Sequence, residues 1–171
     1  MDYFELFNIP KDFNIDIPAL KKKYYQLSKM HHPDFHTQSH EENQMENLDK
    51  SVAINKGFKV LGDLDSRIKY ILELKGSPIE ESGNNLPQGF LMEMMDINES
   101  LMEAKMSDDQ AAIDRAKEGI ASFEKALRNE IQETFDAFNF ENAEEAQLDA
   151  LRTYFLKRKY LKRLEQQFSV K

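Results

Sequence analysis

The chain contains no cysteine among its 171 residues. This absence excludes a disulfide framework, a thiol nucleophile, a zinc ribbon and a cysteine-ligated metal cluster of its own. No apolar run approaches the ~18 residues of a membrane span. The opening residues, MDYFELFNIP, resemble neither a signal peptide nor an arginine-rich transit peptide. We therefore expect a soluble cytoplasmic protein without a membrane partner.

Glycine and proline are also scarce, with six and five residues respectively. Five of these eleven residues lie between positions 76 and 89, which predicts a linker there. The linker divides the chain into domains at 1–75 and 90–171. Because no strand-like alternation of apolar and polar residues persists anywhere, the predicted fold class is all-α.

The net charge of −8 is distributed unevenly. Residues 1–75 carry 11 basic and 12 acidic side chains, residues 77–149 carry 5 and 18, and residues 150–171 carry 7 and 1. The overall sign argues against a general nucleic-acid-binding protein. We interpret the basic end as a complement to a helix dipole and to the acidic helices, rather than as an RNA or membrane site. The asymmetry suggests different partners for the two halves.

The first domain is predicted to be a helical hairpin followed by a shorter helix. Asp16 can cap a helix with Pro18 at its second position, and Pro33 ends that helix. A capping box at 39–42 begins the next helix. The apolar positions of that helix include Met45, Leu48, Val52, Phe58 and Leu61. The shorter helix covers about 65–75 and stops at Gly76.

The second domain is predicted to be an antiparallel three-helix bundle. Its first helix covers 90–106. The second begins at a capping box formed by Ser107 and Gln110, and its apolar residues follow a 3-4 spacing from Ile113 to Phe138. Asn142 is expected to begin the third helix.

The tripeptide His32-Pro33-Asp34 lies between the two long N-terminal helices. Proline fixes the backbone, histidine offers ring nitrogens and aspartate offers a carboxylate, so a tight loop here makes a rigid polar knob for recognition. No nucleophile or second base stands beside it. His32, His36 and His40 recur every four residues, but Pro33 and the following cap interrupt the helix that zinc ligation would need. We expect no metal and no cofactor.

This tripeptide, with the basic helix before it and an amphipathic helix after it, resembles the J domain of co-chaperones. The resemblance implies docking on an ATP-dependent chaperone of the DnaK/HscA class and stimulation of its ATPase. It assigns the contact to His32, Pro33, Asp34, Lys21, Lys22, Lys23 and Lys29. Without the resemblance, the lysines are an ordinary solvated helix face. The chain departs from the family pattern at Phe35, at Gly57 and at Leu64, where a basic residue, alanine and proline respectively are usual.

The helix predicted at 90–106 has two separate faces. At ~100° per residue, Phe90, Met94, Ile97, Leu101 and Ala104 fall within about 80° and can form a core stripe. A separate arc of about 140° holds Leu91, Met92, Met95, Asp96, Glu99 and Glu103. Apolar side chains bordered by carboxylates are typical of a partner site, and methionine adapts to irregular surfaces. The alternative is a helix buried on two sides.

Over essentially its whole length, the chain resembles the HscB family of iron–sulfur co-chaperones. The opening MDYFELF, the J domain, the linker and the segment FLMEMMDINESLMEA carry the resemblance. It implies that the bundle binds an IscU-type scaffold through the six residues of that arc together with Phe155. Asp96 stands where the family often has glutamate. The family's cysteine-bearing eukaryotic extension is absent, which indicates a bacterial-type member.

We therefore predict a two-domain adaptor that is not an enzyme. The J domain docks on the chaperone and the bundle delivers the scaffold, aiding maturation of iron–sulfur proteins. The alternative is a J-domain adaptor for a different folded client. An enzyme is disfavoured because the sequence shows no nucleophile–base pair, phosphate loop or metal-ligand set.

Overall fold

The computed structural model describes residues 2–31, 41–80 and 86–169, and these residues form seven helices and no strand. The all-α prediction is confirmed. The helices are α1 (Tyr3–Leu6), α2 (Ile17–His31), α3 (Glu41–Gly62), α4 (Leu64–Leu74), α5 (Gln88–Met106), α6 (Gln110–Ala137) and α7 (Glu145–Ser169).

The chain separates into two compact units. The first comprises Met1–Pro78 together with Phe138–Asn142, and the second comprises Ile79–Ala137 together with Ala143–Lys171. Helices α1 to α4 belong to the first unit, in which α2 packs along α3 and α3 also packs against α1 and α4. Helices α5 to α7 belong to the second, in which α6 packs against both α5 and α7.

Two helices of the first unit, α1 and α2, begin at described side-chain caps. Asp2 caps α1 by accepting from the backbone N–H of Glu5 at 3.0 Å. Although burial raises the pKa of Asp2, its hydrogen bonds to Lys11 and to the Glu5 N–H outweigh that effect and lower the pKa overall. Asp16 caps α2 by accepting from the Ala19 N–H at 3.0 Å, as the sequence predicts.

The first half of α3 turns apolar side chains to solvent. Met45, Leu48 and Val52 are 73%, 52% and 55% exposed. At about 100° per residue they lie opposite Ile54 and Leu61, which are buried. Of the apolar positions that the sequence identifies on this helix, Leu61 therefore lies in the core, and Met45, Leu48 and Val52 do not.

Polar side chains replace apolar packing where this half of α3 faces α2. Nδ1 of His31 lies 2.9 Å from Oδ1 of Asn47, and the Tyr24 hydroxyl donates to Oδ1 of Asn55 at 2.9 Å. Farther along, the ring of Tyr24 stacks on Phe58 with centroids 4.3 Å apart. Tyr24 therefore joins α2 to α3 through both its hydroxyl and its ring, and the contact between His31 and Asn47 lies nearer the end of α2.

Gly57 leaves room for α1 to approach α3. A Cβ atom there would lie 2.9 Å from ring atoms of both Phe7 and Tyr3. Neither ring can easily retreat, because Phe7 is fully buried and Tyr3 packs on Tyr70 with centroids 4.8 Å apart. Tyr3 also donates its backbone N–H to the Tyr70 hydroxyl at 3.0 Å, and burial raises the pKa of that hydroxyl. The departure from the usual alanine is thus a packing requirement.

We expect Gly57→Ala to lower the free energy of unfolding by about 1–3 kcal/mol, because overpacking outweighs the gain in helix propensity. Gly119→Ala is the matched control, since a Cβ at Gly119 in α6 meets no atom within 4 Å. The control is expected to stabilise by up to about 1 kcal/mol. Urea denaturation of both variants measures the difference. An equal gain in stability from both substitutions would contradict the packing argument.

Residues 138–142 complete the core of the first unit. Helix α6 ends at Ala137, so the predicted continuation of its stripe to Phe138 is wrong. The Phe138 ring meets Phe13 edge-on with centroids 4.5 Å apart. Lys75 donates to the Phe140 carbonyl at 2.8 Å. The Asn139 side chain accepts the N–H groups of residues 141 and 142, which forms the turn that ends the helical run.

The second unit is a bundle of three helices around one core stripe from each. Its described core holds Phe90, Met94, Leu101, Ala104, Ile120, Leu127, Ile131, Phe135, Leu148, Leu151, Tyr154, Phe155, Leu161 and Leu164. The first of these helices supplies four of the five residues predicted for its inner stripe, and Ile97 is half-buried.

The two predicted helix starts in the bundle are each displaced. Asp109, rather than Ser107, caps α6 by accepting the Ala112 N–H at 2.9 Å. Ser107 instead ends α5, since its hydroxyl donates to the Glu103 carbonyl. Asp108 has a positive φ of 54°, which turns the chain between the two helices. At α7 the cap position falls on Glu144, two residues after Asn142.

Candidate functional site

The predicted chaperone-contact tripeptide, His32-Pro33-Asp34, lies outside the described residues. The structure describes both helices on either side of it. His31 is the last described residue before the tripeptide, and its ring is within hydrogen-bond distance of Asn47 on α3. A side-chain contact therefore links the end of α2 to the first half of α3, next to the segment that carries the motif.

The four predicted lysines do not share one environment. Lys21, Lys22 and Lys29 are exposed, whereas Lys23 is half-buried and donates its ammonium group to the carbonyl of Asn8. At about 100° per residue, Lys22 and Lys29 fall on one line of α2, and Lys23 lies about 100° away. The geometry favours Lys22 and Lys29 as members of one contact surface and gives Lys23 a role within the unit.

An exposed aromatic residue accompanies those lysines. Tyr25 is 60% exposed and lies within about 60° of Lys22 and Lys29 around the α2 axis. Tyrosine combines apolar area with a polar tip, so it is enriched at protein interfaces. Sequence reasoning treated α2 as a basic helix and did not single out Tyr25, although its spacing of three and four residues from the two lysines is visible in the sequence.

The predicted arc on α5 is an exposed surface. Met92 and Met95 are 60% and 58% exposed, and Asp96, Glu99 and Glu103 are exposed as well. We call these five residues together with half-buried Leu91 the α5 face. The alternative of a helix buried on two sides does not fit these exposures. Large apolar side chains held in water beside carboxylates are typical of a protein-binding surface.

The opposite side of α5 fixes this surface in place. Met94 and Leu101 are fully buried, and the Phe90 ring lies 5.7 Å from Phe123 on α6 and 5.8 Å from Tyr160 on α7. Because α5 is anchored to both neighbouring helices, the α5 face is presented on a rigid support. A rigid support lowers the ordering cost of binding.

Phe155 differs from the other predicted scaffold contacts. It lies on α7, is only 9% exposed and belongs to the core of the bundle. A partner could touch only the small exposed part of this ring. Its contact with a scaffold stays a prediction, and its packing role is what the structure describes.

The described side chains offer no metal site. Among those of residues 2–31, 45–80 and 86–167, no three His, Asp or Glu come together in a way that could hold a metal ion. The three regularly spaced histidines, His32, His36 and His40, lie outside the described residues. Among the described helices, none has the length and apolar composition needed to cross a bilayer.

Comparison with known families matches both halves of the chain. The family described as DnaJ domain matches residues 2–70, and the family described as HSCB C-terminal oligomerisation domain matches residues 86–169. The pairing of a J domain with this C-terminal bundle defines the class: the chain is a J-domain co-chaperone.

Individual relatives identify the family within that class. Co-chaperone protein HscB homologs of Pseudoalteromonas atlantica and Shewanella baltica are 34% and 31% identical. These matches cover 84% and 88% of this chain and 85% and 86% of the relatives. The human iron-sulfur cluster co-chaperone protein HscB is 31% identical over 84% of this chain, which spans 60% of that protein. The chain belongs to the HscB family.

Solved structures agree with this assignment. The crystal structure of human co-chaperone protein HscB matches with a TM-score of 0.81 and 26% identity, covering 99% of this chain and 81% of that one. Chaperone HscB from Vibrio cholerae matches with a TM-score of 0.68 and 26% identity, covering 98% and 99%. The J-domain-plus-bundle architecture predicted from the sequence is therefore confirmed.

Proposed function

We propose that this protein stimulates the ATPase of a DnaK/HscA-class chaperone and delivers an IscU-type iron–sulfur scaffold to it in the cytoplasm. Residues 1–75 are the J domain, 76–89 the linker and 90–171 the scaffold-binding bundle. The observation that carries the proposal is the α5 face, where Met92 and Met95 stay exposed on a rigidly packed helix of an HscB-family chain. Mouse and human relatives are named iron-sulfur cluster co-chaperones, which supports the same cargo here.

On the chaperone side, the proposal assigns recognition to His32, Pro33 and Asp34. Lys22 and Lys29 supply positive charge on the exposed side of α2, with Tyr25 between them. Exposed charges of one sign steer association with an oppositely charged surface, so the expected docking site on the chaperone is acidic. Lys21 adds to this field, and Lys23 contributes less because its ammonium group is bound to a backbone carbonyl.

In this proposal, the chain itself catalyses no reaction. Binding both partners raises the effective concentration of the scaffold near the chaperone, which is the physical advantage of placing two docking surfaces on one chain. The α5 face needs no bound metal for this role, because its carboxylates border an apolar contact surface instead of converging on one point.

We expect His32→Gln to lower stimulation of the chaperone ATPase by about tenfold or more, equivalent to ~1.4 kcal/mol of lost coupling. The glutamine keeps a polar side chain but removes the imidazole from the recognition motif. Steady-state ATP hydrolysis by the chaperone, measured with wild-type or variant protein, tests the expectation. His36→Gln, outside the tripeptide, is the matched control and should stimulate like wild type. Equal stimulation by His32→Gln and wild type would show that the imidazole of the motif is not needed to stimulate the ATPase.

A further inference from the structure

Two exposed methionines continue the α5 face beyond Glu103. Met102 and Met106 are 59% and 88% exposed. At about 100° per residue, both fall between the lines of Leu91 and Met92 around the α5 axis. The apolar surface of this helix therefore extends from Leu91 to Met106, which is ~22 Å at the α-helical rise per residue.

These two methionines line a shallow depression at the C-terminal end of α5. Its lining consists of Glu99, Met102, Glu103, Met106 and Ser107, and its volume is about 480 Å³. Two carboxylates stand on one side of two thioether side chains. The depression thus shares Glu99 and Glu103 with the α5 face and continues that face to the last turn of the helix.

The exposure of Met106 does not come from a frayed helix end. The N–H of Ser107 bonds to the Glu103 carbonyl at 3.0 Å, and the N–H of Asp109 bonds to the Ala104 carbonyl at 2.9 Å. The Ser107 hydroxyl adds a bond of 2.8 Å to the Glu103 carbonyl. Lys105 donates its ammonium group to the Gln167 carbonyl, which ties this end of α5 to α7. Both methionines therefore stand on an ordered turn.

The charges around the methionines define the chemistry of the partner. Asp96 and Glu103 are exposed and line one edge of the apolar surface, and exposed Glu99 lies close to that edge, between the lines of Met106 and Met92. A complementary partner has an apolar patch with lysine or arginine along that edge. Nucleic acid and anionic lipid are disfavoured because they would meet these carboxylates. An antiparallel two-fold dimer is disfavoured because pairing through this surface would set the two acidic edges against each other.

We propose that Met102 and Met106 extend the scaffold-docking surface, so that the scaffold covers α5 as far as its last turn. This inference rests on the proposed function and specifies how far along α5 the contact with the scaffold extends. The bound partner is a folded protein whose apolar patch, bordered by basic side chains, spans both the α5 face and the two added methionines.

The test uses the full chain with both methionines replaced by the polar residue of nearest length, Met102→Gln/Met106→Gln. Glutamine and methionine have similar helix propensities, so α5 should keep its structure. Titration calorimetry with an IscU-type scaffold is expected to show about tenfold weaker binding, because apolar area is lost from the contact. Met45→Gln, at a 73% exposed position on α3, is the matched control and should bind like wild type.

The outcomes separate this inference from the function on which it rests. If the double variant binds like wild type while Met92→Ala/Met95→Ala does not, the extension is wrong and the proposed function stands. If wild type itself does not bind the scaffold, both are wrong. Sedimentation velocity tests whether a second copy of the chain occupies this surface instead. A wild-type dimer that the double variant abolishes would assign the surface to a second copy and overturn the extension.

Discussion

Replacing Met92 and Met95 together by alanine is expected to weaken binding of an IscU-type scaffold by about 100-fold, or ~2.7 kcal/mol. Both side chains are more than half exposed, so their truncation removes area from the interface and little from the bundle core. Contact energy concentrates in a few central side chains. Methionine suits that role because its flexible thioether fits an irregular partner surface.

Titration calorimetry of the full-length variant against the scaffold measures the effect. Met45→Ala/Val52→Ala is the control, since both residues are more than half exposed on α3, outside the α5 face. Both double variants should keep the wild-type unfolding midpoint within about 2–4 °C. Scaffold affinity that is unchanged by the Met92 and Met95 substitutions would exclude the α5 face as the docking surface.

Arg67→Met is expected to lower the free energy of unfolding by about 3 kcal/mol. Arg67 is only 5% exposed, and its buried guanidinium group donates hydrogen bonds to carbonyl groups on two different segments. Nε donates to the Leu61 carbonyl at 2.7 Å in the last turn of α3, and Nη1 donates to the carbonyl of Phe13. Methionine fills a similar volume but leaves these buried carbonyls without those donors, and it removes a favourable cation from a helix C-terminus.

Chemical denaturation of Arg67→Met measures this loss. Arg163→Met, at an exposed position on α7, is the matched control and should change stability by less than about 0.5 kcal/mol. Arg67→Lys keeps the positive charge but lacks the planar guanidinium group with its several N–H donors. The loss of unfolding free energy should therefore be intermediate for this variant. A variant Arg67→Met that unfolds at the same denaturant concentration as wild type would show that these two hydrogen bonds contribute little.

Helical spacing predicted the α5 face because that helix has one inner stripe and packs on one side. Phe90, Met94, Leu101 and Ala104 are buried as expected, and the complementary arc is exposed except for half-buried Leu91. The same arithmetic applies to Met102, but reasoning that followed the family's contact residues stopped at Glu103. The exposed methionine could have been found from the sequence by continuing the arc to the end of the helix.

On α3, apolar side chains do not mark the inner face over the whole length of the helix. The inner positions in the first half of that helix include Asn47 and Ser51, which are half-buried, and Asn47 lies within hydrogen-bond distance of His31. Hydrogen-bond partners from another helix cannot be read from the period of one segment. The predicted place of Phe138 in the apolar stripe of α6 is wrong because its ring packs in the first unit.

The central claim is that the α5 face brings the scaffold to a chaperone that the J domain activates. The most direct measurement is the chaperone ATPase rate with wild type or Met92→Ala/Met95→Ala, each assayed with and without the scaffold. We expect equal stimulation by the two proteins without scaffold, and a further scaffold-dependent increase at limiting scaffold concentration only with wild type. An equal scaffold-dependent increase with both proteins would contradict the central claim.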